Sequence, residues 1–237
     1  KNTMPVINPA TEEQIGTVAM GNAEDVDLAV SAANEAFVTF SQTSIQDRLD
    51  LLIKIKDVTQ KRFEELVKAM STEMGAPMTM ARDAQADAAI GHLDGFIDAL
   101  KNLEDQKTLP NGDVLCKEAI GVCGLITPWN WPINQIACKV APALAAGCTI
   151  VHKPVELSPV TAQILCEIAE KSDLNVVQFS ENNYSYGSVL RDKAIILNSL
   201  IDLSEEKYPD LAVFKRAILF HAFLLFQQLL TSSCLFK

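Results

Sequence analysis

The sequence predicts an α/β fold: an incomplete, Rossmann-like parallel sheet with crossover helices, preceded by an amino-terminal helical segment. Three observations carry this. From Gly121 to Lys171 the residues alternate strand, turn, helix, strand, turn, helix, the order a parallel sheet with crossover helices requires. Residues 22–103 place apolar side chains at helical spacing. The 237 residues are 49% hydrophobic and 21% charged, enough to bury a core and too apolar for disorder.

Taken in order, residues 4–19 read as two short extended pieces around a polar turn at Pro9 and Thr11 to Glu13. Asn22 to Phe37 form a first helix, capped by Asn22, with Val26, Ala29, Val30, Ala33 and Phe37 on one face. A second helix runs from Ser44 to Met70. Ser44 and Asp47 have capping-box spacing, although Asp is one methylene shorter than the usual Glu, which weakens the expected return bond. Pro77 interrupts, and a third helix follows from Met78 to Leu103. Val114, Cys116 and the run Ile120 to Ile126 then read as strands with glycine punctuation. The last units are strand Gly124–Thr127, helix Pro132–Ala146, strand Thr149–His152 and helix Ser158–Lys171. The two strands should be neighbours, because consecutive βαβ strands usually are.

The chain changes character near Lys171. Residues 1–171 hold nine of the ten glycines and both tryptophans, whereas 172–237 hold all three tyrosines and six of the ten phenylalanines. Two parts are therefore expected, 4–171 and a divergent, mostly helical tail at 172–237. Asn175 to Phe179 could extend the strand series, and Asp210 to Leu230 reads as one apolar helix. His221, Gln227 and Gln228 within it argue against a membrane span. Lys1 is not a natural first residue, which reads as a trimmed chain or one beginning at Met4.

A net charge of −10 disfavours nonspecific binding to phosphate backbones, so nucleic acid is not an expected partner. The six cysteines form no Cys-x-x-Cys pair and read as reduced thiols of a cytoplasmic protein. His92, His152 and His221 lack metal-ligand spacing, so no metal is expected.

The chemistry is expected at the strand ends, where open parallel sheets bind ligands. One buried strand, with Leu125 and Ile126, ends in Thr127-Pro128-Trp129-Asn130; the next ends in Lys153-Pro154-Val155-Glu156. An amide, a cation and a carboxylate thus face one crevice. A lysine can donate to ribose or phosphate oxygens, and a glutamate can accept from two vicinal ribose hydroxyls. Plainer readings stand beside these. Asn130 suits a turn, Lys153 a solvated strand end, and Glu156 the electrostatics of the next helix. The small residues Ala141 to Gly147 suit helix packing.

The motifs TPWNWP, K-x-A-P-A-L-A-A-G-C-T and HKPVELSP, in that order and spacing, resemble the aldehyde dehydrogenase superfamily. The resemblance reaches back to INPATEEQIG and covers residues 4–171. It implies oxidation of an aldehyde to an acid, or to acyl-coenzyme A in some branches. A cysteine thiolate attacks the aldehyde, hydride leaves to nicotinamide, and a glutamate-activated water releases the acid. It further implies that Asn130 helps form the oxyanion hole of the thiohemiacetal, and that Lys153 and Glu156 hold the adenosine ribose. Ile126, Thr127, Pro128 and Trp129 would line the cofactor cleft, and Lys139 would be structural or near the site. NAD is the expected cofactor, ahead of NADP. Homo-oligomers are implied for the complete fold, though this chain is a poor candidate for one.

Three family elements have no match in these 237 residues. They are the glycine-containing segment that receives the pyrophosphate, a general-base glutamate in a Glu-Leu-Gly-Gly context, and the nucleophilic cysteine. No glycine follows Gly187, and Cys234 in TSSCLFK lacks the nucleophile's surroundings. The chain by itself is therefore expected to be inactive, a partial product of the family fold. The alternative is a noncatalytic binding or assembly module. Splicing, a frameshift or a fusion would each explain the change near Lys171.

Overall fold

Residues 3–174 are described by a computed structural model. β1 (Thr3–Ile7) and β2 (Gln14–Ala19) pair antiparallel, as the extended pieces around a polar turn require. α1 (Ala23–Phe40) starts at Asn22, whose side chain accepts from the Asp25 N–H at 3.0 Å while Asp25 accepts from the Asn22 N–H at 3.1 Å. Ser44 and Asp47 make the same reciprocal box at the start of α2 (Ile45–Lys61), so the shorter Asp does reach back, at 2.9 Å.

The single helix expected over 44–70 is two. α2 ends at Lys61, and α3 (Phe63–Met74) begins after Arg62, whose backbone leaves the helical region at φ −104° and ψ 15°. The Arg62 guanidinium binds Glu65 and Glu167 at 2.7 Å and donates to the Ile164 carbonyl at 3.3 Å. The apolar period of 44–70 carries no sign of this, because the break is tied to a helix a hundred residues later. The helix expected over 78–103 is also interrupted. α4 (Met78–Met80) runs into a π-helical stretch, Ala81–Ala86, before α5 (Asp87–Lys101). The wider turn buries Ala81, Gln85 and Ala86 while Arg82 reaches Glu64.

β3 (Gln106–Thr108) and β4 (Val114–Cys116) form an exposed antiparallel hairpin. β5 (Val122–Thr127) follows, then α6 (Pro132–Ala145), β6 (Thr149–Pro154) and α7 (Pro159–Lys171). β5 and β6 are parallel neighbours, as expected, from Val122↔Thr149 to Thr127↔Pro154. β5 begins two residues earlier than the sequence suggested, so Cys123 lies within it.

The two faces of this sheet are covered differently. Ile150 packs against a core of Leu52, Leu66, Met70, Ile97, Ile133 and Ile168, drawn from α2, α3, α5, α6 and α7. Val151, next along the strand and pointing oppositely, packs with Ala29 and Ala33 of α1. Thr149 donates its hydroxyl to the Ala33 carbonyl at 2.8 Å. α7 ends at Lys171. The expected strand at 175–179 and helix at 210–230 lie outside the described residues.

Candidate functional site

The register of the parallel pair brings the two strand ends together. Ile126 lies beside Lys153 and Thr127 beside Pro154. The Thr127 carbonyl accepts from the Val155 N–H at 3.1 Å, which extends the pairing one step into the turn. Thr127 is buried, and its hydroxyl hydrogen-bonds His152 Nε2 at 3.0 Å. Burial, then Lys139 and Lys153, pull the His152 pKa down to about 4, so the imidazole is neutral at pH 7.

Lys153 is not a solvated strand end. Its side chain is 9% exposed and donates to Glu156 Oε1 at 2.5 Å; that of Glu156 is 20% exposed. The cation and carboxylate thus satisfy one another at the mouth of the crevice. Ile126, expected to be buried, is 45% exposed instead, while the next residue, Thr127, is buried, so the two faces of β5 differ in cover at its end. Pro128, Trp129 and Asn130 form an exposed loop running into α6, with Pro132 at its first turn. Lys139 on α6 donates to the Gln135 carbonyl and side chain at 3.3 and 3.1 Å, a structural role.

One buried group at this end was not foreseen. Glu73, in the last turn of α3, is 3% exposed. Its carboxylate accepts from the N–H groups of Val160 at 2.6 Å and Thr161 at 2.9 Å, and from the Thr161 hydroxyl at 2.5 Å. It therefore caps α7, the role considered for Glu156. Burial pushes its pKa up to about 7 against the lowering by these three donors. The only signal in the sequence was a carboxylate at a helix carboxyl end, where the helix dipole disfavours it. Glu73, Trp129, Glu156 and Leu157 border one cleft of about 280 Å³, which Val6 and Pro9 also line.

Burial, with Cys148 beside it, pushes the Cys123 thiol up to about 12, which disfavours the thiolate that a nucleophile needs. Among the described residues none of the five cysteines is in a disulfide, and no group of three or more His, Cys, Asp or Glu could hold a metal ion. No described helix is long and apolar enough to cross a membrane.

Comparison with known proteins places this architecture. The model of the aldehyde dehydrogenase family matches residues 1–182. A 3-succinoylsemialdehyde-pyridine dehydrogenase of a Pseudomonas species is 47% identical over 167 residues, 70% of this chain and 35% of that protein. An aldehyde dehydrogenase structure from Bartonella henselae superposes with a TM-score of 0.71 at 43% identity, over 73% of this chain and 37% of that one. A mutant aldehyde dehydrogenase C of Pseudomonas syringae, solved with NAD+ and octanal, gives 0.70 at 44% identity over 74% and 36%. The chain thus spans little more than a third of the length of these relatives, and aligns with their amino-terminal part. With two thirds of its residues matched in order and in space, the chain belongs to the aldehyde dehydrogenase family.

Proposed function

We propose that residues 4–171 are the adenosine-binding share of an enzyme that oxidises an aldehyde to a carboxylic acid with NAD, and that 172–237 are a divergent tail. The observation behind this reading is the Lys153–Glu156 pair, largely withdrawn from water at the end of β6. Lys153 can donate to a ribose oxygen, and Glu156 can accept from two vicinal hydroxyls, so a ribose can replace each partner's present contact. Exposed Ile126 and Trp129 offer apolar surface at the same strand end, and Thr127 and Pro128, which join them, are assigned to the cofactor cleft with them. NAD, when bound, supplies the hydride acceptor. A carboxylate near the ribose disfavours a 2′-phosphate, which favours NAD over NADP.

Asn130 is the residue we assign to the oxyanion. Its amide can donate to a tetrahedral oxygen, a contribution of about 3–4 kcal/mol when that species forms. A thiolate is needed to form it. Among the described residues the raised Cys123 thiol is a poor source, and in the sequence Cys234 lacks the family surroundings. The chain alone is therefore a nucleotide binder without turnover, which is also what favours the second reading, a noncatalytic module. Free thiols fit a reducing, cytoplasmic setting.

Calorimetry with AMP and 2′-phospho-AMP tests this. AMP should bind more tightly, though more weakly than to a full-length relative. Lys153→Ala and Glu156→Gln should each weaken it roughly tenfold. Tighter binding of the phosphorylated nucleotide would reject NAD as the cofactor.

A further inference from the structure

We propose that Glu73 is a positioning residue for ribose recognition: by capping α7 from α3, it fixes the turn that presents Lys153 and Glu156. This rests on the adenosine-binding reading above.

Lys153 is held in β6 by its pairing with Ile126, and the turn from Val155 to Ser158, which brings Glu156 beside it, is short and must be held at both ends. At its start, the Val155 N–H is bound by the Thr127 carbonyl at 3.1 Å. Inside it, the Ser158 N–H reaches the Val155 carbonyl at 3.3 Å. At its far end α7 has no cap of its own, because Ser158 makes no side-chain capping bond and Pro159 has no N–H. The first free donors are the N–H groups of Val160 and Thr161, and Glu73 binds both. Only three residues separate Glu156 from Val160, two of them being Ser158, which is 2% exposed, and Pro159, whose ring restricts φ. A shift of the α7 start therefore passes directly to Glu156. Glu73 and Glu156 also border the same cleft, together with Trp129. A carboxyl group bound by three donors at a helix amino end anchors that end, and above pH 7, where Glu73 is ionised, the bonds are charge-assisted and act with the helix dipole.

The test uses the full chain and compares Glu73→Ala, Glu73→Gln and Thr161→Val, with Ser44→Ala as a control for general loss of stability. Two quantities are measured in variants shown by circular dichroism to be folded: amide hydrogen exchange at Val155 and Ser158, and AMP affinity by calorimetry. Glu73→Ala should speed exchange at both amides and weaken AMP roughly tenfold. Glu73→Gln retains one acceptor oxygen and should fall between wild type and Glu73→Ala. Thr161→Val, which removes one bond and leaves Glu73 in place, should move both readouts in the same direction by less. It keeps the test decisive if Glu73→Ala does not fold. Ser44→Ala should change neither. Unchanged exchange at Val155 and Ser158 in the Glu73 variants, or an AMP loss no greater than in Ser44→Ala, overturns the proposal. Absence of AMP binding in wild type would remove the adenosine reading alone, because exchange at the turn still decides whether Glu73 holds it.

Discussion

Two titrating side chains near the strand ends pull the pH response of the chain in opposite directions. Glu73 is raised from 4.5 to about 7, so the folded chain keeps a proton that the unfolded chain has lost. Its contribution is full below pH 4.5 and is lost as pH rises through 7. His152 is lowered from 6.5 to about 4, so the unfolded chain takes a proton that the folded chain refuses. Its contribution is full above pH 6.5 and is lost as pH falls through 4. Between 4.5 and 6.5 the two slopes offset one another, and wild type hides both. Replacing Glu73 with Gln should expose the difference. The variant's stability relative to wild type should rise by on the order of 3 kcal/mol from pH 4.5 to 7. Urea melts across that range measure it, and a constant difference would mean that Glu73 titrates as an ordinary carboxylate. His152→Asn should give the opposite slope relative to wild type, its stability rising as pH falls from 6.5 to 4. The candidate residues Asn130, Lys153 and Glu156 were legible as residue types at strand ends. That Lys153 and Glu156 would be withdrawn from water, and Ile126 left open to it, was not, because accessibility depends on which helices cover the sheet.

Helix starts are local, and the sequence shows them. Asn22 with Asp25 and Ser44 with Asp47 form their boxes within four residues, so no distant packing is needed to specify them. Replacing Asn22 or Ser44 with Ala should each cost about 1 kcal/mol, read as a lower midpoint of thermal unfolding. An effect near zero at Asn22 would show that packing of Ala29 and Ala33 against Val151 alone holds α1. The end of α3 is fixed differently. Gly75 has φ +78°, and a Cβ there would lie 2.8 Å from Pro9 Cγ. Gly75→Ala should therefore cost about 1–2 kcal/mol from the left-handed backbone alone, and more as Pro9 is pushed from the cleft. A thermal midpoint within a degree of wild type would refute this. The break at Arg62 and the π-helical stretch at Ala81–Ala86 were not legible. Both answer to contacts with other helices, Glu167 and Ile164 in the first case and Glu64 in the second.

At the scale of the molecule, the described residues build a two-stranded parallel sheet between α1 and a helical core, with the candidate residues at its strand ends. Chemistry demands more than this arrangement. A thiolate must sit about 3 Å from the carbonyl carbon before Asn130 can assist. The purified 237-residue chain should thus produce no NADH with an aldehyde while still binding AMP. Turnover abolished by Cys234→Ala and slowed by Asn130→Ala would show that the tail supplies the nucleophile. Turnover abolished by Cys123→Ala would contradict the raised thiol in β5. The alternation of strands and helices, the caps, the adjacency of β5 and β6, and the ordered motifs that mark the family are legible in the residue order. These rest on periodicity and short-range hydrogen bonds, which are written within a few turns of chain. Where helices break, that Lys153 and Glu156 form a sheltered pair, and that Glu73 caps a helix 87 residues away follow from packing instead. A buried charge is settled by whichever donors packing brings to it, and packing joins residues whose separation along the chain carries no signal.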